Sequence, residues 1–178
     1  GKPMASQGWA AAILGGWQVN GLLSAYTGTP FTVEASDDSL DMPNNSQRAD
    51  LVKPEVEKLG GIGRGQPYYD WTAFREVTEP RFGTAGFNIL RGPELVNLDL
   101  GVFRTFNVTE RVSIQFRAEA FNATNTPHFS NPSDNISDLR TFPDGSFREG
   151  VFQVTSVNAV GREGIDERTF RFGLRIGF

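Results

Sequence analysis

Thr169 to Phe178 reads TFRFGLRIGF, and its alternation decides the fold. Phe170, Phe172, Leu174, Ile176 and Phe178 take every second position, with Arg171, Gly173, Arg175 and Gly177 between them. A period of two describes a strand with one apolar and one polar face. Soluble sheets alternate too, but this run has the ~9–11 residues that a tilted strand needs to cross the hydrocarbon layer. It also stops on an aromatic carboxy-terminus, and barrel strands carry aromatic residues at the membrane interfaces. Inverting the register would turn Arg171 and Arg175 towards lipid, at about 2–4 kcal/mol each near the midplane. Phe170, Phe172, Leu174 and Ile176 are therefore expected to face lipid.

The same period recurs upstream. In RVSIQFRAEAFN, residues 111–122, Val112, Ile114, Phe116, Ala118 and Ala120 alternate with Ser113, Gln115, Arg117 and Glu119. In NLDLGVFRTF, residues 97–106, Leu98, Leu100 and Val102 lie opposite Asn97, Asp99 and Gly101. A first strand is expected near 17–33, with Trp17, Val19, Gly21, Leu23 and Ala25 on one face, Leu22 as the exception, and Phe31-Thr32-Val33 as a bent extension. Between them, 37–93 and 124–167 lack a sustained period and are rich in turn residues, so both are expected to be long external loops. Only a tight connection near Asn107–Glu110 separates the second and third strands, and the connections run long, short, long. Gly8–Leu14, GWAAAIL before Gly15-Gly16, suits a short amino-terminal helix with a glycine stop. The fold class is thus all-β: residues 1–178 as an antiparallel transmembrane β-barrel segment, an open curved sheet in isolation.

Composition agrees. Hydrophobic residues are only 38%, because a membrane strand needs apolar side chains on one face alone. The chain holds Gly 20, Pro 10 and Phe 15, and no run approaches the ~18 apolar residues of a membrane helix. Cys 0 removes disulfides, thiolate metal sites and cysteine nucleophiles, and a net charge of −4 offers no basic surface for nucleic acid. The chain opens on Gly1-Lys2-Pro3 without a signal segment, and is expected to be the carboxy-terminal piece of a longer exported protein.

In order and spacing, GGWQVNGLLSAYTGTPFTV (15–33), YYDWTAF (68–74), RFGTAGFNILRGPELVNLDLGVFRTF (81–106), RVSIQFRAEAFNATN (111–125) with PHFSNP (127–132), and the closing TFRFGLRIGF resemble one family. It is the carboxy-terminal barrel of TonB-dependent outer-membrane receptors of the Oar-like group, which carry a carboxypeptidase-regulatory-like domain. The resemblance implies TonB-coupled transport through a plugged ~22-stranded barrel. It implies as partners the outer-membrane lipid, the receptor's own plug and the TonB system acting through upstream residues. It also implies that barrel-assembly machinery reads Phe178 as an assembly signal. Thr126-Pro127-His128 departs from the family's usual order, in which the His precedes the Pro.

Candidate sites divide into sharp and plain readings. Tyr68, Tyr69, Trp71 and Phe74, with Phe82 and Phe87, are placed to stack on a ligand, but packing within the loop is the favoured reading. His128, the single histidine, reads as loop surface rather than a metal ligand. Asp37, Asp38 and Asp41 with Asn44 and Asn45 lack the calcium-loop spacing, and read as a solvated acidic loop. Gly60–Gly65, GGIGRG, lacks the spacing and flanking elements of a phosphate cradle and reads as a flexible loop tip. Asn44, Asn107, Asn122 and Asn135 match the N-x-S/T pattern by chance. Asp99, Glu119, Arg117, Arg171 and Arg175 face inward and are placed to pair in a wet lumen. No nucleophile, base and orienting group converge, so no enzyme activity, cofactor or metal is expected.

Two rival readings make distinct demands. A porin-like or structural barrel would share the sheet but lack energy coupling. A soluble β-sandwich glycan-binding module would bury Phe116, Phe170 and Leu174 between two sheets. The membrane reading instead leaves Val112, Ile114 and Phe116 well exposed when no lipid covers them.

Overall fold

The computed structural model describes residues 15–36, 40, 47–158 and 166–178. The expected helix Gly8–Leu14 and the group Asp37, Asp38, Asp41, Asn44 and Asn45 lie outside the described residues. In chain order the strands are β1 (Trp17–Tyr26), β2 (Pro30–Phe31), β3 (Glu34–Ala35), β4 (Gln47–Arg48), β5 (Asp50–Leu51), β6 (Phe74–Arg75), β7 (Leu90–Arg91), β8 (Leu95–Asn107), β9 (Ser113–Phe121), β10 (Arg140–Thr141), β11 (Phe147–Glu149) and β12 (Thr169–Gly177). The described helical structure consists of the 3₁₀ turns Trp71–Ala73 and Ile136–Asp138. The described residues divide into two compact units: those within Gly1–Ala25, Val96–Pro127 and Ala159–Phe178 form one, those within Tyr26–Leu95 and His128–Asn158 the other.

The first unit is an open four-stranded sheet in the order β1-β8-β9-β12, with β1 and β12 as its edges. β8 and β12 both pair antiparallel with β9. Aromatic and β-branched residues on one face, with charged residues on the other, suit a sheet whose two sides meet different media. Asn107 lies opposite Ser113, and Gly177 is also opposite Ser113, so the β8–β9 turn and the carboxy-terminus share one end. Trp17 meets Phe116 edge-on and Gly21 abuts the Leu100 side chain, so β1 begins at that same end. The turn is closed by Val112, whose carbonyl accepts from Val108 N at 2.9 Å, and by Thr109 Oγ1, which accepts from Val112 N at 3.0 Å.

At its far end β9 stops on Asn122, which adopts φ 47°. Its side chain replaces the lost ladder: Nδ2 donates to Thr126 O at 2.9 Å and to Asp166 O at 2.7 Å, while Oδ1 accepts from Thr126 N at 2.9 Å. Its backbone N–H donates to Asp99 Oδ1 at 2.9 Å. Asn tolerates this left-handed conformation because its short amide can bond locally.

The second unit is built from the antiparallel pairs β2–β7, β3–β4, β5–β6 and β10–β11 around an apolar core. Strands of two or three residues are too short to leave a period in the sequence, which is why these stretches read as loops. Phe31 does not extend β1; it pairs with Leu90 across β2–β7. Gly28 and Gly92 permit the approach beside that pair, because a methyl group on Gly28 would collide with the Gly92 backbone. Residues 152–157 form the isolated bridges Pro67↔Gln153 and Phe129↔Val157.

Phe152 is the hub of this core. It is fully buried, and its ring lies 5.6 Å from Phe74, 5.9 Å from Tyr69 and 6.4 Å from Phe31 between centroids. Its φ of 60° places an aromatic residue in the left-handed region, at a cost of about 1–2 kcal/mol that ring burial offsets. A charged staple ties the β5 region together: Arg81 reaches the two Asp50 oxygens at 2.8 and 2.6 Å, and Glu79 at 2.9 Å. The Arg81 hydrogen bonds hold the Asp50 carboxyl below its ordinary value of 3.8.

Candidate lipid-facing surface

The register between β8, β9 and β12 aligns one apolar face row by row. Phe106, Ile114 and Ile176 form the row nearest the turn, followed by Arg104, Phe116 and Leu174. Val102, Ala118 and Phe172 come next, then Leu100, Ala120 and Phe170. β12 has nine residues, ~30 Å at ~3.4 Å each, which a tilt of ~35° reduces to about the ~25 Å apolar band of an outer-membrane barrel.

Exposure on this face is graded. Phe170, Phe172, Leu174 and Ile176 stand free, Phe172 and Leu174 each 73% exposed. Phe170 and Leu174 are therefore not buried between two sheets, and the sandwich reading fails. Val112, Ile114 and Phe116 are half-buried rather than well exposed as expected. The reason lies in their neighbours: β9 is flanked on both sides, so Ile114 has Phe106 and Ile176 beside it and Phe116 has Arg104 and Leu174. The edge strand β12 has a neighbour on one side only.

Arg104 was missed from the sequence, although the period of two carries straight to it from Val102. It lies on the apolar face opposite Phe116 and is 7% exposed. Its guanidinium sits 4.3 Å from the Phe106 ring centre and 5.4 Å from that of Trp17. Cation–π contact of this kind lets a charge sit among apolar neighbours.

The opposite face carries Asp99, Thr105, Gln115, Arg117, Glu119, Arg171 and Arg175. Arg171 stands opposite Glu119, and Arg175 opposite Gln115. Arg117 Nε donates to Gln115 Oε1 at 3.1 Å and its guanidinium lies 5.5 Å from the Phe103 ring centre. Arg171 lies 5.3 Å from the ring centre of Phe121. Asp99 Oδ1 accepts from Asn97 Nδ2 at 3.0 Å as well as from the Asn122 backbone. Phe178 follows β12 and is 101% exposed.

In the second unit, Tyr68, Tyr69 and Phe74 are buried, the Tyr68 ring against Tyr69 and the Tyr69 and Phe74 rings against Phe152, and Trp71 packs partly against Phe147. Phe82 and Phe87 remain exposed, Phe87 beneath the Arg48 guanidinium at 4.8 Å. His128 is not loop surface: it is 2% exposed, and its carbonyl accepts from Asn158 N at 2.6 Å. Burial here follows from the backbone pairing of 128–130 with 156–158, which local sequence cannot reveal. Nor is Gly60–Gly65 a loose tip, since Gly60 N donates to Tyr68 O and Gly63 N to Val154 O, both at 2.9 Å. Among the N-x-S/T asparagines, the Asn122 amide is buried and used internally, and Asn135 Oδ1 caps the second 3₁₀ turn.

Comparison with known families agrees with this geometry. A family model described as outer membrane beta barrel domain matches residues 1–178. No curated protein and no solved structure matches the chain. The chain belongs to the outer membrane β-barrel domain family, and its place is the outer membrane.

Proposed function

We propose that this member of the outer-membrane barrel family forms part of the wall of a TonB-dependent receptor of the Oar-like group, serving substrate uptake. The supporting observation is the two-sided sheet: an aligned apolar face with exposed Phe170, Phe172, Leu174 and Ile176, backed by a face of Glu119, Arg117, Arg171 and Arg175. The apolar rows meet lipid, and the charged face meets a solvated plug. Aromatic Phe178 is offered to barrel-assembly machinery. The segments 37–93 and 124–167 lie outside the cell and meet the substrate first. In this reading the chain is a passive wall without enzymatic chemistry, and coupling to TonB runs through residues upstream of it.

Co-purification of the full-length protein with the periplasmic domain of TonB tests the coupling. Retention of TonB is expected. A protein that assembles fully in the outer membrane yet never retains TonB is an uncoupled, porin-like barrel.

A further inference from the structure

The glycine-rich run Gly60–Gly65 forms one wall of a cavity of about 480 Å³ that lies wholly within the second unit. Ile62, Phe129, Val154 and Val157 supply its apolar lining, and Arg64, Thr155 and Ser156 its polar groups. The volume is within the ~300–1,000 Å³ of small-molecule sites.

The walls are held in place by backbone. Gly63 N donates to Val154 O at 2.9 Å, joining the glycine run to the 154–157 segment. Ser130 N donates to Ser156 O at 3.0 Å, and Asn158 N to His128 O at 2.6 Å, joining Phe129 to the same segment. Gly63 adopts φ 103°, and a methyl group on Gly61 would come within 2.6 Å of Pro67 O, so the turn that carries Ile62 and Arg64 requires glycine.

The chemistry of the ligand follows from which donors are free. The N–H groups of Gly60, Gly61 and Gly63 all bond to backbone carbonyls, so the run does not present them as a phosphate cradle. Charge comes instead from Arg64, which is exposed and has no ion-pair partner among the described residues. Among the described residues, no acidic side chain lines the cavity. An apolar hollow with one unpaired guanidinium at its rim is complementary to an anion with an apolar body. We propose that the Ile62–Phe129–Val154–Val157 cavity binds an amphipathic organic carboxylate, its apolar body in the hollow and its carboxylate on Arg64. This goes beyond the transporter reading and does not depend on energy coupling.

The test is calorimetric titration of 1-naphthoate, and of the neutral 1-naphthamide, into the full-length protein in zwitterionic nanodiscs, with empty nanodiscs as reference. Saturable 1:1 binding of naphthoate is expected, with the amide at least about tenfold weaker. R64Q should weaken naphthoate about tenfold and leave the amide unchanged, while R64K retains most of the affinity. V157W, which fills the rim from an exposed position, should abolish both. Heat-modifiability confirms that each variant still forms a barrel. Binding no greater than to empty nanodiscs overturns the proposal, as does naphthoate affinity untouched by R64Q or V157W. Retention of TonB is read separately, so the two accounts can fail independently.

Discussion

Arg171 of β12 stands directly opposite Glu119 of β9, while the neighbouring pairs Phe170–Ala120 and Phe172–Ala118 fall on the other face. That alternation fixes which side of the sheet is wet. Slipping β12 by one residue would carry Arg171 and Arg175 to the apolar side and Phe170, Phe172, Leu174 and Ile176 to the charged side.

Adjacent positions of β12 should therefore respond oppositely to one substituent. Phe172→Glu places a charge on the apolar face near mid-strand, and is expected to cost on the order of 2 kcal/mol and deplete assembled barrel. Gly173→Glu enters the charged face, where an added Cβ meets only the Arg117 Cβ at an ordinary 3.8 Å, and should assemble normally. The fraction of heat-modifiable protein in outer membranes reads both; equal losses would mean that the two faces do not differ in medium.

The terminal ring is the next case. Phe178 is fully exposed, so Phe178→Ala removes no packing within the described chain. Its expected effect is a sharp fall in assembled barrel, larger than that of Ile176→Ala. Equal, modest losses from both would fit simple transfer of about 1–3 kcal/mol per side chain and no recognition of the terminus.

How much of this was legible in the sequence depended on run length. β8, β9 and β12 extend over nine residues or more, long enough for a period of two to fix their faces. β2, β3 and β4 span two residues each, and their partners are remote in sequence, so no window could display them. Favouring packing over ligand stacking for Tyr68, Tyr69 and Phe74 was within reach because aromatic clusters need burial. Phe152 as the hub was not, since nothing local announces a buried left-handed phenylalanine. His128 was misread for the same reason, its burial coming from residues 156–158. Arg104 continues the period of two from Val102, but only the folded sheet shows the Trp17 and Phe106 rings that carry its charge on the apolar face.

Phe152→Ala should open the second unit. Removing a fully buried ring from the centre of a packed cluster costs about 3–5 kcal/mol. Hydrogen exchange of the full-length protein should then show lost protection over Phe31–Ala35 and Tyr68–Phe74, with β9 unaffected. Unchanged exchange at Tyr68 and Tyr69 would show that Phe152 does not hold this core.

Acid should loosen the same unit through Asp50. Because Arg81 lowers the Asp50 value in the folded chain, the carboxylate contributes stability above its ordinary, unfolded value of 3.8. That contribution is lost as pH falls through the lower folded value. Arg81 is 42% exposed, so solvent screening keeps the contribution small. Protection of 47–51 and 81–85 should hold from neutral pH down to about 4 and decline below it. Asp50→Asn should lower protection at neutral pH and flatten the acid response; an unaltered acid response in that variant would assign the effect elsewhere.

The two-faced sheet is tested most directly by spin labels at single cysteines placed in turn from Phe170 to Gly177 of the assembled full-length protein, this chain contributing no cysteine of its own. Collision with lipid-soluble oxygen should peak at 170, 172, 174 and 176, and collision with a water-soluble nickel chelate at 171, 173, 175 and 177. Accessibility that fails to alternate, or alternates in the opposite phase, would contradict a membrane strand with its aromatic and aliphatic face in lipid.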